Sequence, residues 1–503
     1  MYEGPRKSTT ASNLKSCQLN PDLVRQKLLK EVLLGRMAGP FKHPPFTNLR
    51  ISPIGLVPKK DSHEFRLIHH LSFPQGSSVN DFIGDEHASV NYTKFDDAVF
   101  MLQQIGRGGL IAKADIKSAF RLIPVRHADF DLLGICFENQ YYIDMCLPFG
   151  CRTSCALFEK FSTFLEWYTR ENLQLLQAYL LHYLDDFLFG GPRGTNTCHI
   201  ALETFISVCA ELGVPVAEDK TVQPTTKLIF LGIELDTVQQ QSRIPQDKIS
   251  KCLQVIDDFL SRKKVQLKEA QSLIGLLNFI CRVIPMGRPF IRRLIDSTKG
   301  VTKASHRLRV NSTVKKDLVT WKSFLKHHNG ITLFMNMLWQ DSDMLQLYTD
   351  SAGGKSQGFG LYYNGRWAHG RWPPDWHSKG YTTDITFLEF FPVLLSVLIW
   401  GESLRNHKVI FNSDNQAVVS ILNKLSSTSP RVMTLVRWFT LQCMQLNLFI
   451  KGRYIPGKLN IIADCLSRSK FQQFHRLAPT ADRYPTKIPG WIWRHLKQKL
   501  TDC

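Results

Sequence analysis

Runs of apolar residues at 64–70, 110–115, 132–137 and 140–143 read as strands, and the patterns near 92–105, 155–178 and 198–212 read as helices. A hairpin is expected over "HYLDDFLFGG", 182–191, with further strands around 214–217 and 227–235. Such mixing of helices with mostly antiparallel strands predicts an α+β domain ending near residue 240. From 245 to 340 the pattern is mainly helical. It changes again after 344, to strands at 345–349 and 358–364, a helix at 387–403, a strand at 408–413 and a helix at 415–424. Ahead of all this, residues 1–25 are polar and read as mobile, and four prolines between 40 and 53 require an extended, irregular path.

Two charges interrupt the apolar run 182–191. Neighbouring strand residues point to opposite faces, so Asp185 and Asp186 cannot both face water, and a buried carboxylate is costly without a positive partner. Gly190 and Gly191 read as the turn that presents the pair, and turn chemistry alone is the competing account. Upstream, "IAKADIKSAFRLIPV" (111–125) brings a third carboxylate, Asp115, to a strand end. Like charges in contact raise one another's pKa. Two Mg²⁺ ions about 3.5–4 Å apart would keep all three ionised, activate a 3′-oxygen and stabilise leaving pyrophosphate.

Composition points the same way. The chain has 503 residues, 44% apolar and 21% charged, which suits a folded protein of more than one domain. Lys and Arg number 63 against 43 Asp and Glu, a surplus of 20 that favours a polyanionic partner such as nucleic acid over mere solubility. The segment 287–316 holds nine Lys/Arg and one acidic residue, either a grip on a polyanion or a solvated face. Twelve scattered cysteines with no CxxC argue for reduced thiols. No secretory signal is visible in "MYEGPRKSTT", and the apolar run 391–400 is too short to cross a bilayer. An intracellular protein without a membrane partner is expected, cytoplasm and nucleus being undistinguished.

An aspartate at a strand end followed by YxDD on a hairpin resembles the palm of reverse transcriptases of retroelements. The likeness extends, in the family's order, to "LVPKKDSHEFRLIHHLS" (56–72), "LPFG" (147–150), "DKT" (219–221) and "FLGIELD" (230–236). The resemblance implies that Asp115, Asp185 and Asp186 bind the metals, with the backbone carbonyl of Ile116 assisting. It implies that Lys59 and Arg66 hold the triphosphate, that Phe120 sits against the sugar and excludes a 2′-OH, and that Phe149 lines the nucleotide pocket. Lys220 becomes a candidate proton donor to pyrophosphate, and "FLGIELD" the grip on the primer end. Each has a plainer alternative: surface charge for the basic residues, core for the phenylalanines.

A second carboxylate set begins in "LYTDSAGGKSQGFGLYY" (347–363). Ala352 replaces the glycine an aspartic protease turn would need, and no helix follows to make a phosphate cradle. The reading is a hairpin presenting Asp350. Glu389, Asp414 and Asp464 follow. Each has a local explanation: Glu389 could close a capping box with Thr386, Asp414 could cap the helix that follows, and Asp464 could be solvated. Their combined order resembles ribonuclease H, which implies a second two-metal site that activates water to cut a phosphodiester. Where many ribonucleases H carry a mobile histidine, ten residues before the last aspartate, this chain has Tyr454.

The expected fold class is α+β multidomain, a right-hand polymerase of fingers, palm and thumb followed by a ribonuclease H-like mixed α/β domain. The expected divisions are a polar extension at 1–29, fingers and palm at 30–240, a helical thumb or connection at 241–340, the ribonuclease H domain at 341–470 and a basic tail at 471–503. The resemblance is to DIRS-type retrotransposons, with gypsy-type elements as competitor. Among its marks is the LE-x-x-P helix around Pro392. It implies RNA- and DNA-directed DNA polymerase activity with ribonuclease H activity and Mg²⁺ at both sites, two per site, with Mn²⁺ as a substitute. The implied partners are an RNA template, a DNA primer, the RNA–DNA hybrid and deoxynucleoside triphosphates. The alternative is a decayed or domesticated copy that binds nucleic acid without catalysis.

Overall fold

The computed structural model describes the chain except residues 59–63, 174–178, 328–329, 334–338, 341, 354–356 and 502–503. It divides into two compact units, Met1–Leu231 with Asp236–Val238, and Gly232–Leu235 with Gln239–Cys503.

Beside the antiparallel pair Ile54–Pro58 with Phe65–His69, the first unit is built on two larger sheets. One has the spatial order Thr9–Thr10, Arg50–Ile51, Gly134–Phe137, Gln140–Asp144, Met37–Phe41. The other is antiparallel, in the order Val222–Thr225, Leu110–Asp115, Asp186–Gly191, Tyr179–Tyr183. The helices Ser154–Asn172 and Thr197–Glu211 cover this second sheet because their apolar residues fall on one face. Phe158, Leu165, Leu202 and Phe205 close over Ala112, Ala114, Phe187 and Phe189. Each large side chain so buried contributes about 1.5–3 kcal/mol. The core therefore holds the carboxylate-bearing strands from below.

Four expectations need correction here. Residues 1–25 are packed: Thr9–Thr10 pairs in parallel with Arg50–Ile51, Arg6 bonds Asp129 and Asp131, and Cys17 is buried. Polarity there reflects partners across the sheet. Residues 214–217 make only an isolated bridge, Val216 to Ile116. The strand expected at 227–235 is two, Lys227–Phe230 and Ile233–Asp236, broken where Leu231 and Gly232 take positive φ. Gly190 and Gly191 are not the hairpin turn. They lie within the strand Asp186–Gly191, where a Cβ on Gly191 would stand 2.6 Å from the Cys198 nitrogen.

In the second unit the helices Gln246–Ser261, Leu267–Ile280 and Ser312–His327 pack together, and Lys264–Gln266 pairs with Arg307–Arg309. The C-terminal part has a three-stranded antiparallel sheet, Leu347–Ser351, Gly358–Tyr363 and Arg366–Arg371, and a parallel pair, Lys408–Ser413 with Phe449–Tyr454. Helices Ile385–Trp400 and Pro430–Gln445 pack against each other, and Ile461–Ser467 lies across the first sheet. That approach requires Gly360, where a Cβ would come 2.4 Å from Leu466.

The helical stretch Ile385–Leu404 runs for 20 residues, long and apolar enough to cross a membrane, contrary to the shorter run read from sequence. Its Phe387, Phe390, Phe391, Leu394 and Leu395 are taken up by the domain's own core. Residues 471–503, read as a basic tail, fold onto this domain instead. Phe474, Ile492 and Leu496 are buried, and Trp493 packs on Phe391 at 5.4 Å. Arg476, Arg494 and Lys497 are exposed on helices whose inner faces are apolar.

Candidate active sites

In the first unit the strand register brings the carboxylates together. Asp115 is paired directly with Asp186. Tyr183 pairs with Asp186 on the other side, which leaves Leu184 and Asp185 as a two-residue turn, with Leu184 at φ 53°. Asp185 therefore sits on the turn. Its carbonyl accepts from the N–H of Ile116 at 3.0 Å, tying the turn to the strand that bears Asp115. Two lysines interleave: Lys220 donates to Asp115 at 2.8 Å, and Lys113 lies 3.1 Å from Asp186.

Burial raises the Asp115 and Asp185 carboxyls above the usual range, reinforced by the neighbouring aspartates and opposed by Lys220. Burial works against charged Lys220, but its hydrogen bond to Asp115 and the attraction of the three aspartates raise it. Lys113 escaped the sequence reading, although period-two alternation already places it on the face of Asp115.

The neighbouring residues form an aromatic floor. Phe120 lies in a short turn, Ala119–Leu122, and meets Phe149 edge-on at 5.4 Å and Phe158 at 5.2 Å. Arg66 is exposed on the strand Phe65–His69 and lines a cavity together with Phe149. Lys59 lies outside the described residues.

In the second unit Asp350 projects from Leu347–Ser351, Glu389 from the helix Ile385–Trp400, and Asp414 follows the strand Lys408–Ser413. Oxygen atoms of these three all lie within 4.8 Å of one another, the one such group among the described residues. Both local explanations give way. The helix N-cap is Asp384, which accepts from the Phe387 N–H at 3.0 Å, so Glu389 has no capping duty toward Thr386. The next helix is capped by Asn415, which accepts from Ala417 and Val418 and leaves Asp414 to the cluster. Gly457 comes so close that a Cβ there would stand 2.9 Å from Asp414 Oδ2.

Burial is the main cause that pushes Asp350 and Glu389 well above the usual carboxylate range, and the other acids add to it. Ser467 opposes this at Asp350, donating to Oδ2 at 2.5 Å, and Ser351 opposes it at Glu389. Asn460 anchors the same strand by donating to the Thr349 carbonyl at 2.9 Å. Asp464 stands apart from the three, paired with Arg468 at 2.5 Å, though near enough to raise Asp350. Tyr454 ends the strand Phe449–Tyr454 opposite Ser413, half exposed. Ser467, Asn460 and Gly457 left no signal in sequence, because each acts through a contact made by folding.

The donors at both sites are all oxygen and charged, which fits a hard divalent cation such as Mg²⁺ or Mn²⁺. Buried acids that resist ionisation alone are what such a cation would hold in the charged form.

Residues 57–235 match the family model described as reverse transcriptase (RNA-dependent DNA polymerase), and this segment is a reverse transcriptase domain. The genome polyprotein of Petunia vein clearing virus is 25% identical over 225 residues, 44% of this chain and 9% of that protein. The Gag-Pro-Pol polyprotein of Mason-Pfizer monkey virus is 26% identical over 273 residues, 48% of this chain and 14% of its own length. A putative enzymatic polyprotein of Cassava vein mosaic virus is 28% identical over 180 residues, 35% of this chain and 24% of its own. The chain thus spans less than a quarter of each of these polyproteins. A foamy viral protease-reverse transcriptase solved with double-stranded DNA superposes with TM-score 0.52 at 15% identity, covering 90% of this chain and 72% of that one. The fold is that of a polymerase with a further domain.

Proposed function

We propose that this chain copies retroelement RNA into DNA, polymerising on RNA and DNA templates at Asp115, Asp185 and Asp186. On this reading the C-terminal domain cuts the RNA strand of the hybrid at Asp350, Glu389 and Asp414, with Asp464 at the edge of that site. One observation carries the proposal: two carboxylate sets, one assembled from two strands and a turn and the other from two strands and a helix, occur in two separate units. The element type would be DIRS, on the sequence marks alone, and the location intracellular, in keeping with cysteines that are free among the described residues.

When bound, Mg²⁺ would lower the pKa of the attacking hydroxyl or water and stabilise the leaving oxygen. The protein's own residues do the rest. The carboxylates hold the cations at fixed positions. Arg66 offers a planar fork to the triphosphate, and Phe120 fills the space a 2′-OH would take. Lys220, already hydrogen-bonded to Asp115, stands where it could pass a proton to the leaving group. An exposed Tyr454 cannot shuttle a proton as an imidazole does, so product release would be slow.

The test is primer extension with Mg²⁺ on an RNA template, run beside cleavage of a labelled RNA strand in a hybrid, for wild type and Asp414→Asn. Wild type should do both, and the variant should extend but not cleave. Binding of primer–template with no extension would overturn the proposal in favour of a decayed copy. Equal cleavage by Asp414→Asn would remove the ribonuclease half.

A further inference from the structure

The turn that carries Phe120 is strained. Ser118 and Ala119 both take positive φ, 67° and 28°, a region side chains seldom adopt. Such a turn persists only if its surroundings hold it. The next residue, Arg121, is buried at 8% exposure, where an unpaired charge would be untenable. Its Nη1 donates to Asp144 at 2.6 Å and to the carbonyls of Cys146 and Leu147 at 3.3 and 3.4 Å. Its Nε and Nη2 face Glu31 at 3.1 and 3.0 Å.

Leu147 lies two residues before Phe149, so one guanidinium grips both the Phe120 turn and the Phe149 loop. From the other side the His69 N–H donates to the Phe149 carbonyl at 3.1 Å. Packing does not fix this arrangement unaided, because a cavity of about 180 Å³ opens between Arg66, His69, Arg121 and Phe149. Among the described residues neither ring nitrogen of buried His69 has a hydrogen-bond partner, Nδ1 standing 3.8 Å from Asp144 Oδ2.

We propose that Arg121 is a positioning residue for sugar discrimination: by tying the Phe120 turn to the Phe149 loop it sets the gap that admits a deoxyribose and refuses a ribose. This rests on the reading of Phe120 and Phe149 as the nucleotide floor. A merely structural ion network would, when weakened, lower activity toward both nucleotides alike. A positioning role changes their ratio.

The experiment compares kcat/KM for a deoxynucleotide and the matching ribonucleotide in primer extension, with melting temperature beside it, for wild type, Phe120→Ala, Arg121→Lys and Glu31→Gln. Lysine keeps the charge but has no planar fork to span Asp144, Glu31 and the carbonyls. Arg121→Lys should cut the preference for the deoxynucleotide about tenfold, and Glu31→Gln about threefold, the scale of a pocket altered by a small group. An unchanged ratio in Arg121→Lys overturns the proposal while Phe120→Ala alters it. If Arg121→Lys does not fold, an unchanged ratio in Glu31→Gln does the same. Phe120→Ala without effect would sink the floor reading and this inference with it, and a wild type that extends nothing would sink the polymerase reading beneath both.

Discussion

Ser467→Ala tests whether the C-terminal cluster is a built metal site. Ser467 is 1% exposed and Asp350 5%, and one hydroxyl proton serves both Asp350 Oδ2 at 2.5 Å and the Asp464 carbonyl at 3.0 Å. A hydrogen bond to a charged acceptor is worth about 1.5–3 kcal/mol. At 1.36 kcal/mol per pKa unit, its loss would raise the Asp350 carboxyl by roughly one to two units. The sign follows from the donor: the hydroxyl favours the ionised carboxylate, so without it a proton competes better. Because Mg²⁺ must displace that proton, the acid limb of the pH–rate profile for RNA cleavage should move up by about one to two pH units. The half-saturating Mg²⁺ concentration near neutrality should rise about 10–100-fold. Ser467→Thr, which keeps a hydroxyl, should restore most of both. DNA synthesis should be unchanged, since Asp115 belongs to the other unit. A uniformly slower cleavage with an unmoved acid limb would refute the reasoning and reduce Ser467 to packing.

Asp185→Asn with Asp186→Asn should abolish extension while primer–template binding persists, because the two-residue turn does not depend on charge; extension above a few per cent of wild type would refute the polymerase assignment. In the basic segment, Arg293 pairs with buried Asp317 at 3.0 Å, so a binding test belongs on exposed Arg307 and Arg309. Arg307→Glu with Arg309→Glu should lower the slope of log affinity against log salt by about two, through lost counterion release, and an unchanged slope would return that segment to a solvated face. Asp317 is 3% exposed, and burial lifts its carboxyl to about 6 against the pull of Arg437 and Arg293. The folded form thus holds a proton more tightly than an unfolded aspartate with a pKa of about 3.9. Its contribution should therefore fall as pH rises from about 4 to about 6, and the melting temperature of wild type relative to Asp317→Asn should decline across that window; a flat difference would refute it.

The elements that sequence revealed are those whose pattern is local. Leu110–Asp115, Lys408–Ser413 and Phe95–Ile105 announce themselves because each is paid out in one period of apolar residues with a clear end. What pattern misread depends on partners far along the chain. Thr9–Thr10 is a strand only because Arg50–Ile51 lies beside it. Gly190 and Gly191 look like a turn, yet Gly191 is small because the helix Thr197–Glu211 begins against it, and Gly190 lies against Met101 and Ile105 of the helix Phe95–Ile105. The true turn at Leu184 and Asp185 carries no glycine and could not be found by looking for one.

The same distinction explains why the acidic residues outlasted their local explanations. A cap needs a side chain at one position relative to a helix start, and Asp384 and Asn415 already fill those positions. Glu389 and Asp414 are thereby surplus to helix formation, and burying Glu389 beside Asp350 and Asp414 adds repulsion and desolvation that its Ser351 hydrogen bonds oppose only in part. Folding alone would favour replacing any one of them with an apolar residue or an amide. Lys220 and Lys113 soften the same conflict among Asp115, Asp185 and Asp186, but no lysine or arginine ion pair meets Asp350, Glu389 or Asp414 among the described residues. The second cluster therefore has the greater need of a cation. It follows that Mg²⁺ or Mn²⁺ should raise the melting temperature of wild type by more than that of Asp350→Asn with Glu389→Gln, and equal shifts would mean that the acids hold no metal.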